Sequence, residues 1–328
     1  MPNVSVLIPT ANRPQYLPKA LASVAQQSAK QHIAEVLVME NGGNRQSEAI
    51  CKSFPELPIR YVFREKRIPI GGLLESWFNE AQAPIVALMH DDDWWTEDHL
   101  DRGLTALKNH PQAGAFYNSC NRVLDETGWI LSLYGSFIAW FGNPTAPAGG
   151  IRPLSFEQTL LCSLLATGFH MSALIAPKSA LDLAMPFFND GNAFDYDRSL
   201  AVGLAQQGGL LFDDTPSAFV RVHPGQDSAV AGVSERERTW FPQNTRRLLK
   251  LADEQAIDVR TKLPQRLDQL GLNLYSLAEH CTELSLETLY AESLLPKSMI
   301  AAYHQRKRNQ KIRAMLRRAT SILRKKSN

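Results

Sequence analysis

The first 120 residues alternate short β-branched runs with longer amphipathic stretches, a pattern that fits parallel strands joined by crossover helices. Val4 to Ile8, Val36 to Met39, Ile59 to Val62, Ile85 to Met89 and Ala113 to Tyr117 read as strands. Leu17 to Gln27, Gln46 to Ser53, Leu73 to Ala81 and Glu97 to Asn109 read as the helices between them, with Thr96 as N-cap of the last. The expected architecture is a doubly wound, mostly parallel α/β sheet flanked by helices, in which ligands bind outside the carboxyl ends of the strands. Trp129 to Arg152 is aromatic and rich in Gly and Pro, and reads as a long, partly mobile connection. From Phe156 the pattern resumes as a helix, a strand from Met171 to Ile175, a helix from about Phe194 to Gln207, and two short strands, Leu210 to Phe212 and Ala218 to Val222. After Val233 the chain reads as helical, broken at Pro242, Pro264 and Pro296.

Charge is distributed unevenly. The 328 residues carry a formal net charge of +2, yet Lys297 to Asn328 holds eleven of the 35 Lys and Arg and no acid, leaving 24 basic against 33 acidic residues before it. The four cysteines are far apart and form no C-x-x-C, which argues against a zinc knuckle or a disulfide framework and favours a reducing compartment. No apolar run approaches the roughly 18 residues that span a bilayer, and Met1-Pro2-Asn3 lacks the basic start of a signal peptide. The expectation is a cytoplasmic protein.

Chemistry concentrates at the strand ends. His90-Asp91-Asp92-Asp93-Trp94-Trp95 follows the fourth strand, and three adjacent carboxylates repel unless a cation or solvent offsets the repulsion. Hard oxygen donors suit Mg²⁺ or Mn²⁺ bridged to phosphates; the plainer reading is a solvated acidic cluster before a helix. The first strand ends in Pro9-Thr10-Ala11-Asn12-Arg13 and the second in Glu40-Asn41-Gly42-Gly43, so three strand ends open onto one crevice. Trp94 and Trp95 read as packing residues with sugar stacking as the alternative, and His170 reads as a satisfied core histidine. There is no G-x-G-x-x-G, no Walker A sequence and no G-x-S-x-G.

These segments together resemble family 2 glycosyltransferases of the GT-A fold, the inverting, nucleotide-sugar-dependent class. Ser5 to Arg13 with Leu17 to Gln27 is similar to the family's opening strand, loop and helix; Val36 to Gly42 to its second strand; Ala87 to Trp95 to its Asp-x-Asp region. Phe194-Asp195-Tyr196-Asp197 is similar to its base-bearing segment, and Arg221 to Ser228 to a segment where some members complete the metal site with His. The resemblance covers roughly residues 3 to 230. It implies a transferase domain over 1–232, with a donor half of about 1–120 and an acceptor half of about 121–232, and a helical extension over 233–328. It implies Asp195 as general base, Pro9, Thr10, Asn12, Arg13, Glu40, Asn41 and Asp91 as donor-binding, and Asp92, Asp93 and His223 on Mn²⁺ or Mg²⁺. The chain departs from the family in having His90 at the first acid and Glu40 where Asp is usual. No Arg-Asn pair precedes the metal strand, which leaves Arg64 or Arg67 as candidate cation for a pyrophosphate.

The implied function is transfer of a sugar from a nucleotide-diphosphate donor to a hydroxyl of a glycan or lipid-linked glycan, as in bacterial polysaccharide synthesis. Two other readings are a sugar-phosphate nucleotidyltransferase, whose Gly-rich basic loop Pro9 to Pro14 lacks, and a non-catalytic membrane-associated protein that keeps the fold. From Lys311 to Leu323 the apolar residues fall at helical spacing among basic ones, an amphipathic cationic helix suited to the inner face of an anionic membrane. Docking on the protein's own acidic body is the alternative; a specific nucleic-acid partner is not expected.

Overall fold

The computed structural model describes residues 3–68, 70–125, 127–185, 196–224 and 235–310. Its strands are β1 Val4–Thr10, β2 Ile33–Asn41, β3 Ile59–Arg64, β4 Ile85–Leu88, β5 Trp94–Trp95, β6 Ala115–Leu124, β7 Ile130–Tyr134, β8 Ile151–Leu154, β9 Ile175–Pro177 and β10 Leu210–Val222. The helices through the sheet region are α1 Leu17–Ala25, α2 Gln46–Lys52, α3 Ile70–Glu80, α4 His99–Asn109, α5 Ser136–Gly142, α6 Phe156–Leu165, α7 Lys178–Ala184 and α8 Tyr196–Ala205. Then follow α9 Glu235–Glu254, α10 Val259–Gln269, α11 Leu274–His280 and α12 Glu283–Ala291.

All ten strands join one sheet in the order β3-β2-β1-β4-β9-β6-β10-β5, with β7 beside β6 and β8 beside β10. Parallel pairing holds through β3-β2-β1-β4 and between β6 and β10. The remaining pairings, made by β5, β7, β8 and β9, are antiparallel. Every residue of β1 is buried, which is why Val-Ser-Val-Leu-Ile reads as a near-continuous apolar run: helices cover both faces of a central parallel strand. In α1 the buried Leu17, Ala20, Leu21 and Val24 lie at i, i+3, i+4 and i+7, one stripe against the sheet. Pro18 fits the first turn, where no helical N–H is lost.

Four expectations are corrected. Residues 129–152 are built rather than loose: they contain β7, α5 and the start of β8, and bury Ile138, Ala139 and Phe141. Arg152 fastens the segment by donating to Asn143 O and Ala146 O (2.8 and 2.9 Å) and to Asp214 (2.7 Å). The two short strands near the end of the sheet are one, β10, with a register shift between Asp213 and Ala218, because four residues bulge against Ser119 of β6. Pro242 and Pro264 lie inside α9 and α10 rather than ending them. Thr96 makes no N-cap for α4; its hydroxyl donates to Asp98, the residue at the cap position.

His99, at the start of α4, is wholly buried, stacks on Trp95 at 4.3 Å and meets Ser217 Oγ at 2.9 Å. Burial pushes its pKa from 6.5 down to about 3. The unfolded chain therefore binds the proton first, and stability drops as pH falls below 6.5 towards 3, by up to about 1.4 kcal/mol per pH unit from this group. Denaturant unfolding of His99→Gln between pH 7 and 5 is expected to show a shallower decline than wild type.

Contacts divide the chain into Met1–Leu248 and Leu249–Asn328, a division inside α9. The boundary expected at 232/233 falls among residues outside the description. In the second unit α10, α11, α12 and a helix over 297–310 bury Leu263, Leu267, Leu277, Leu286, Leu289 and Tyr303. Tyr290 stacks on Tyr303 at 4.5 Å, Arg306 pairs with Glu283 at 2.9 Å, and Lys307 pairs with Glu283 and Glu287. Two cations of the basic segment, Arg306 and Lys307, thus pair with acids of their own unit. Residues from Lys311 onward lie outside the description. No helix among the described residues is long and apolar enough to cross a membrane.

Candidate functional site

At the carboxyl ends of β1 and β4 the chain brings together a guanidinium, two carboxylates and an imidazole. Arg13 donates through Nη2 to Asp91 Oδ1 and through Nη1 to Asp92 Oδ2, both at 2.7 Å. Thr10, the last residue of β1, donates its hydroxyl to Asp91 Oδ2 at 2.6 Å. His223, just past β10, sets Nε2 3.1 Å from Asp92 Oδ2, and its Nδ1 lies 3.1 Å from the Tyr16 hydroxyl. The Tyr16 and His223 rings pack at 4.4 Å, so the imidazole is oriented from both sides. A cavity of about 320 Å³ opens beside this cluster, lined by Ala11, Asn12, Arg13, Tyr16, Arg67 and His223. A larger cavity of about 550 Å³, bordered by His110, Pro153 and Gly208, touches none of the carboxylates.

The three consecutive aspartates separate. Asp91 faces Thr10 and Arg13, and Asp92 faces Arg13 and His223. Asp93 turns away from His223: its Oδ2 accepts from Ser172 Oγ (2.5 Å) and its Oδ1 from the Arg221 backbone N–H (3.0 Å). All three are buried. Burial pushes Asp91 up to about 7 against the pull of Arg13. Burial also opposes charge on Asp92, but Arg13, His90 and His223 outweigh it and hold that carboxyl below the usual range. Burial, with Asp92 adding to it, pushes Asp93 well above that range. Asp92 is therefore the carboxyl of the set held most firmly ionised, and the one that meets both Arg13 and His223.

The other expected residues divide by position. Asn12 lines the cavity and holds a left-handed φ of 55°. Pro9 is buried within β1, opposite Met39 of β2. Glu40 is 1% exposed and its Oε2 accepts from the Tyr61 hydroxyl at 2.6 Å. The glycine turn after it sits so close that a Cβ on Gly43 would stand 2.5 Å from Asn12 Oδ1 and 2.7 Å from Glu40 Oε1. Asn41 clamps the next loop, donating to Ile68 O and accepting from Ile68 N, each at 2.8 Å. That clamp positions Arg67 at the cavity, whereas Arg64 turns to Ser76 of α3. Asp195 lies outside the described residues.

Tyr16, Ser172 and Arg221 are the site residues that sequence reasoning missed. Arg221 donates from Nε to Asp92 O at 2.8 Å and reaches Asp125 with Nη1, tying β10 and the end of β6 to the aspartate turn. Its position two residues before His223 was the available signal. Trp94 is not free for a sugar: Phe219 stacks on it at 5.1 Å, and Lys19 Nζ sits 3.3 Å from the ring centroid. Trp95 is buried and donates to Ser172 O at 2.6 Å.

Comparison with known proteins bears on the family and the fold. The sequence profile of glycosyl transferase family 2 matches residues 5–149. Glycosyltransferase GlyA of Streptococcus pneumoniae is 27% identical over 99 residues, which is 30% of this chain and 14% of that protein. The chain thus spans only a small part of that relative's length. Residues 1–349 of TarS from S. aureus, solved in complex with UDP-GlcNAc, superpose with a TM-score of 0.56 at 15% identity, covering 76% of this chain and 65% of that one. The mannosyltransferase PcManGT from Pyrobaculum calidifontis, in complex with GDP-Man and Mn²⁺, superposes with a TM-score of 0.53 at 15% identity, covering 95% and 80%. At such identities the likeness speaks for the fold, which is GT-A. The part of the chain that is similar to glycosyl transferase family 2, residues 5–149, thus runs from β1 through the aspartate turn to the loop before β8.

Proposed function

We propose that this chain transfers a sugar, with inversion, from a nucleoside-diphosphate donor to a hydroxyl of a glycan or lipid-linked glycan. The observation that carries the reading is that Arg13 and His223, which line the 320 Å³ cavity at the carboxyl end of β1, both bond the carboxylate of Asp92 after β4. One charged carboxylate oxygen and one oriented imidazole nitrogen, 3.1 Å apart, suit a divalent ion that takes its other ligands from phosphate oxygens and water. Asp92 and His223 would hold Mn²⁺ or Mg²⁺. Such an ion, when bound, supplies charge neutralisation for the departing diphosphate.

The protein's own groups do the rest. Arg13 and Arg67 present positive charge to the cavity, where a diphosphate fits. Asn12 and Glu40, whose side chains close in on Gly43, meet the nucleoside end of the donor. Asp195 takes the proton from the acceptor hydroxyl, and retained transfer in Asp195→Asn would exclude that role. The basic amphipathic segment Lys311 to Leu323 brings the enzyme to an anionic membrane where lipid-linked acceptors reside; deletion of it should release the protein in fractionation.

Calorimetric titration with UDP, GDP, CDP and dTDP, with and without Mn²⁺, tests the reading. One nucleotide is expected to bind with Mn²⁺, and Asp92→Ala to weaken that binding by ~100-fold or more. Absence of binding by every nucleotide would move the chain to a non-catalytic role.

A further inference from the structure

The third aspartate of the turn has surroundings unlike those of its neighbours. Asp93 is 1% exposed, and among the described residues no Lys or Arg side chain pairs with it. Its carboxylate faces two imidazoles instead: His90 Nδ1 at 3.8 Å and His170 Nδ1 at 3.9 Å, both measured to Oδ2. The two rings meet edge to face with centroids 5.4 Å apart. One donor atom from each of the three residues lies within 4.8 Å of the other two. These atoms come from separate parts of the chain, His90 and Asp93 from the turn after β4 and His170 from the loop after α6.

Ser172 binds the cluster together. Its hydroxyl donates to Asp93 Oδ2, and the same oxygen accepts from His90 N at 3.0 Å. Its backbone N–H donates to His170 Nδ1 at 3.2 Å. The far nitrogen of His90, Nε2, stands 3.5 Å from the Tyr196 hydroxyl at the start of α8. A ring whose second nitrogen has a fixed partner presents the first in a set direction, the arrangement that orients metal-binding histidines. A buried acid whose ionised form meets no Lys or Arg side chain among the described residues, set before two imidazole nitrogens, is a place where a cation can take over from the proton.

We infer that His90, Asp93 and His170 form a second divalent-cation site, separate from the Asp92–His223 pair and selective for a borderline ion such as Co²⁺ or Zn²⁺ over Mg²⁺. Two imidazoles make that selection, because nitrogen donors favour the later first-row metals while Mg²⁺ prefers an all-oxygen shell. Occupancy exchanges the hydrogen bond from Ser172 N to His170 for a metal bond and draws the three donors inward. The inference stands independently of sugar transfer, and the two cation sites differ in every ligand.

The test is Co²⁺ binding to the full-length metal-free chain, followed by visible ligand-field absorption and by equilibrium dialysis. The Asp92→Ala chain is expected to bind one Co²⁺ with a nitrogen-ligated spectrum that excess Mg²⁺ does not displace. Adding His90→Gln or His170→Ala to that background should weaken the binding by ~10-fold or more. Circular dichroism checks that each variant is folded, and His90→Gln, at the more exposed position, decides the matter if His170→Ala is not. No Co²⁺ bound by the Asp92→Ala chain would overturn the inference. Displacement by Mg²⁺, or affinity indifferent to both histidine substitutions, would do the same. The nucleotide titrations have a separate readout, so either result can fail alone.

Discussion

Replacing Arg13 with Met should destabilise the protein by roughly 2–4 kcal/mol near pH 8 and by distinctly less near pH 5. Among the described residues Arg13 is the one guanidinium that bonds both Asp91 and Asp92, and each bond is 2.7 Å long. Breaking a buried pair leaves a charge without compensation, and here two carboxylates lose the same partner. The lower part of the usual range applies because the Arg13 side chain is 22% exposed and water shares in its solvation. The sign with pH follows from the two acids. Asp91 in the folded chain titrates at about 7, above the ordinary 3.8, so the folded state holds the extra proton and stability falls as pH rises through that window. Arg13 opposes this effect, and its removal extends the loss to higher pH. Asp92 is held below 3.8 with help from Arg13, and that help disappears too, a loss felt only where the acid is ionised. Urea midpoints at several pH values check the expectation; a loss that is the same at every pH would assign Arg13 a packing role instead.

Gly208→Ala is expected to leave little folded protein, a loss beyond about 4 kcal/mol. Gly208 follows α8 with a φ of +131°, and a Cβ there would lie 1.8 Å from Gln112 O. Gly209 N bonds back to Ala205 O at 2.8 Å, and Gly209 O receives Gly114 N at 2.9 Å. Two turns, one before β6 and one before β10, therefore interlock backbone to backbone, and neither can retreat without breaking the β6–β10 pairing. Gly128 is the control: its φ is +70°, but nothing lies within 4 Å of its Cβ position. Gly128→Ala should cost about 1 kcal/mol, from the left-handed backbone alone. Equal melting temperatures for the two variants would contradict the close-approach argument.

Much of the first half was legible. The strands β1 to β4 and the helices α1, α2 and α4 coincide with their expected positions to within a few residues, because a strand buried on both faces and a helix buried on one leave different periods in the sequence. Residues 129–152 were not legible as structure. Their Gly and Pro signals are those of a loop, and their order comes from distant partners, with Arg152 reaching Asp214. The single strand β10 was read as two because its bulge carries Asp, Thr, Pro and Ser, the composition of a turn. His170 was read as a core histidine, and nothing near it in sequence announces Asp93.

The amino-acid sequence by itself determined that strand ends carrying Thr10, Arg13, Glu40 and three consecutive aspartates would share one crevice. Period and burial are local properties, and the doubly wound layout then places successive strand ends side by side. Only the tertiary structure decided what each aspartate does. Neighbouring side chains in a tight turn diverge, so their roles depend on what lies opposite: Thr10, 81 residues from Asp91; Ser172, 79 from Asp93; and His223, 131 from Asp92. Those partners arrive on β1, on the loop before β9 and past β10, and it is the packing of these elements around the turn that makes three identical residues chemically different.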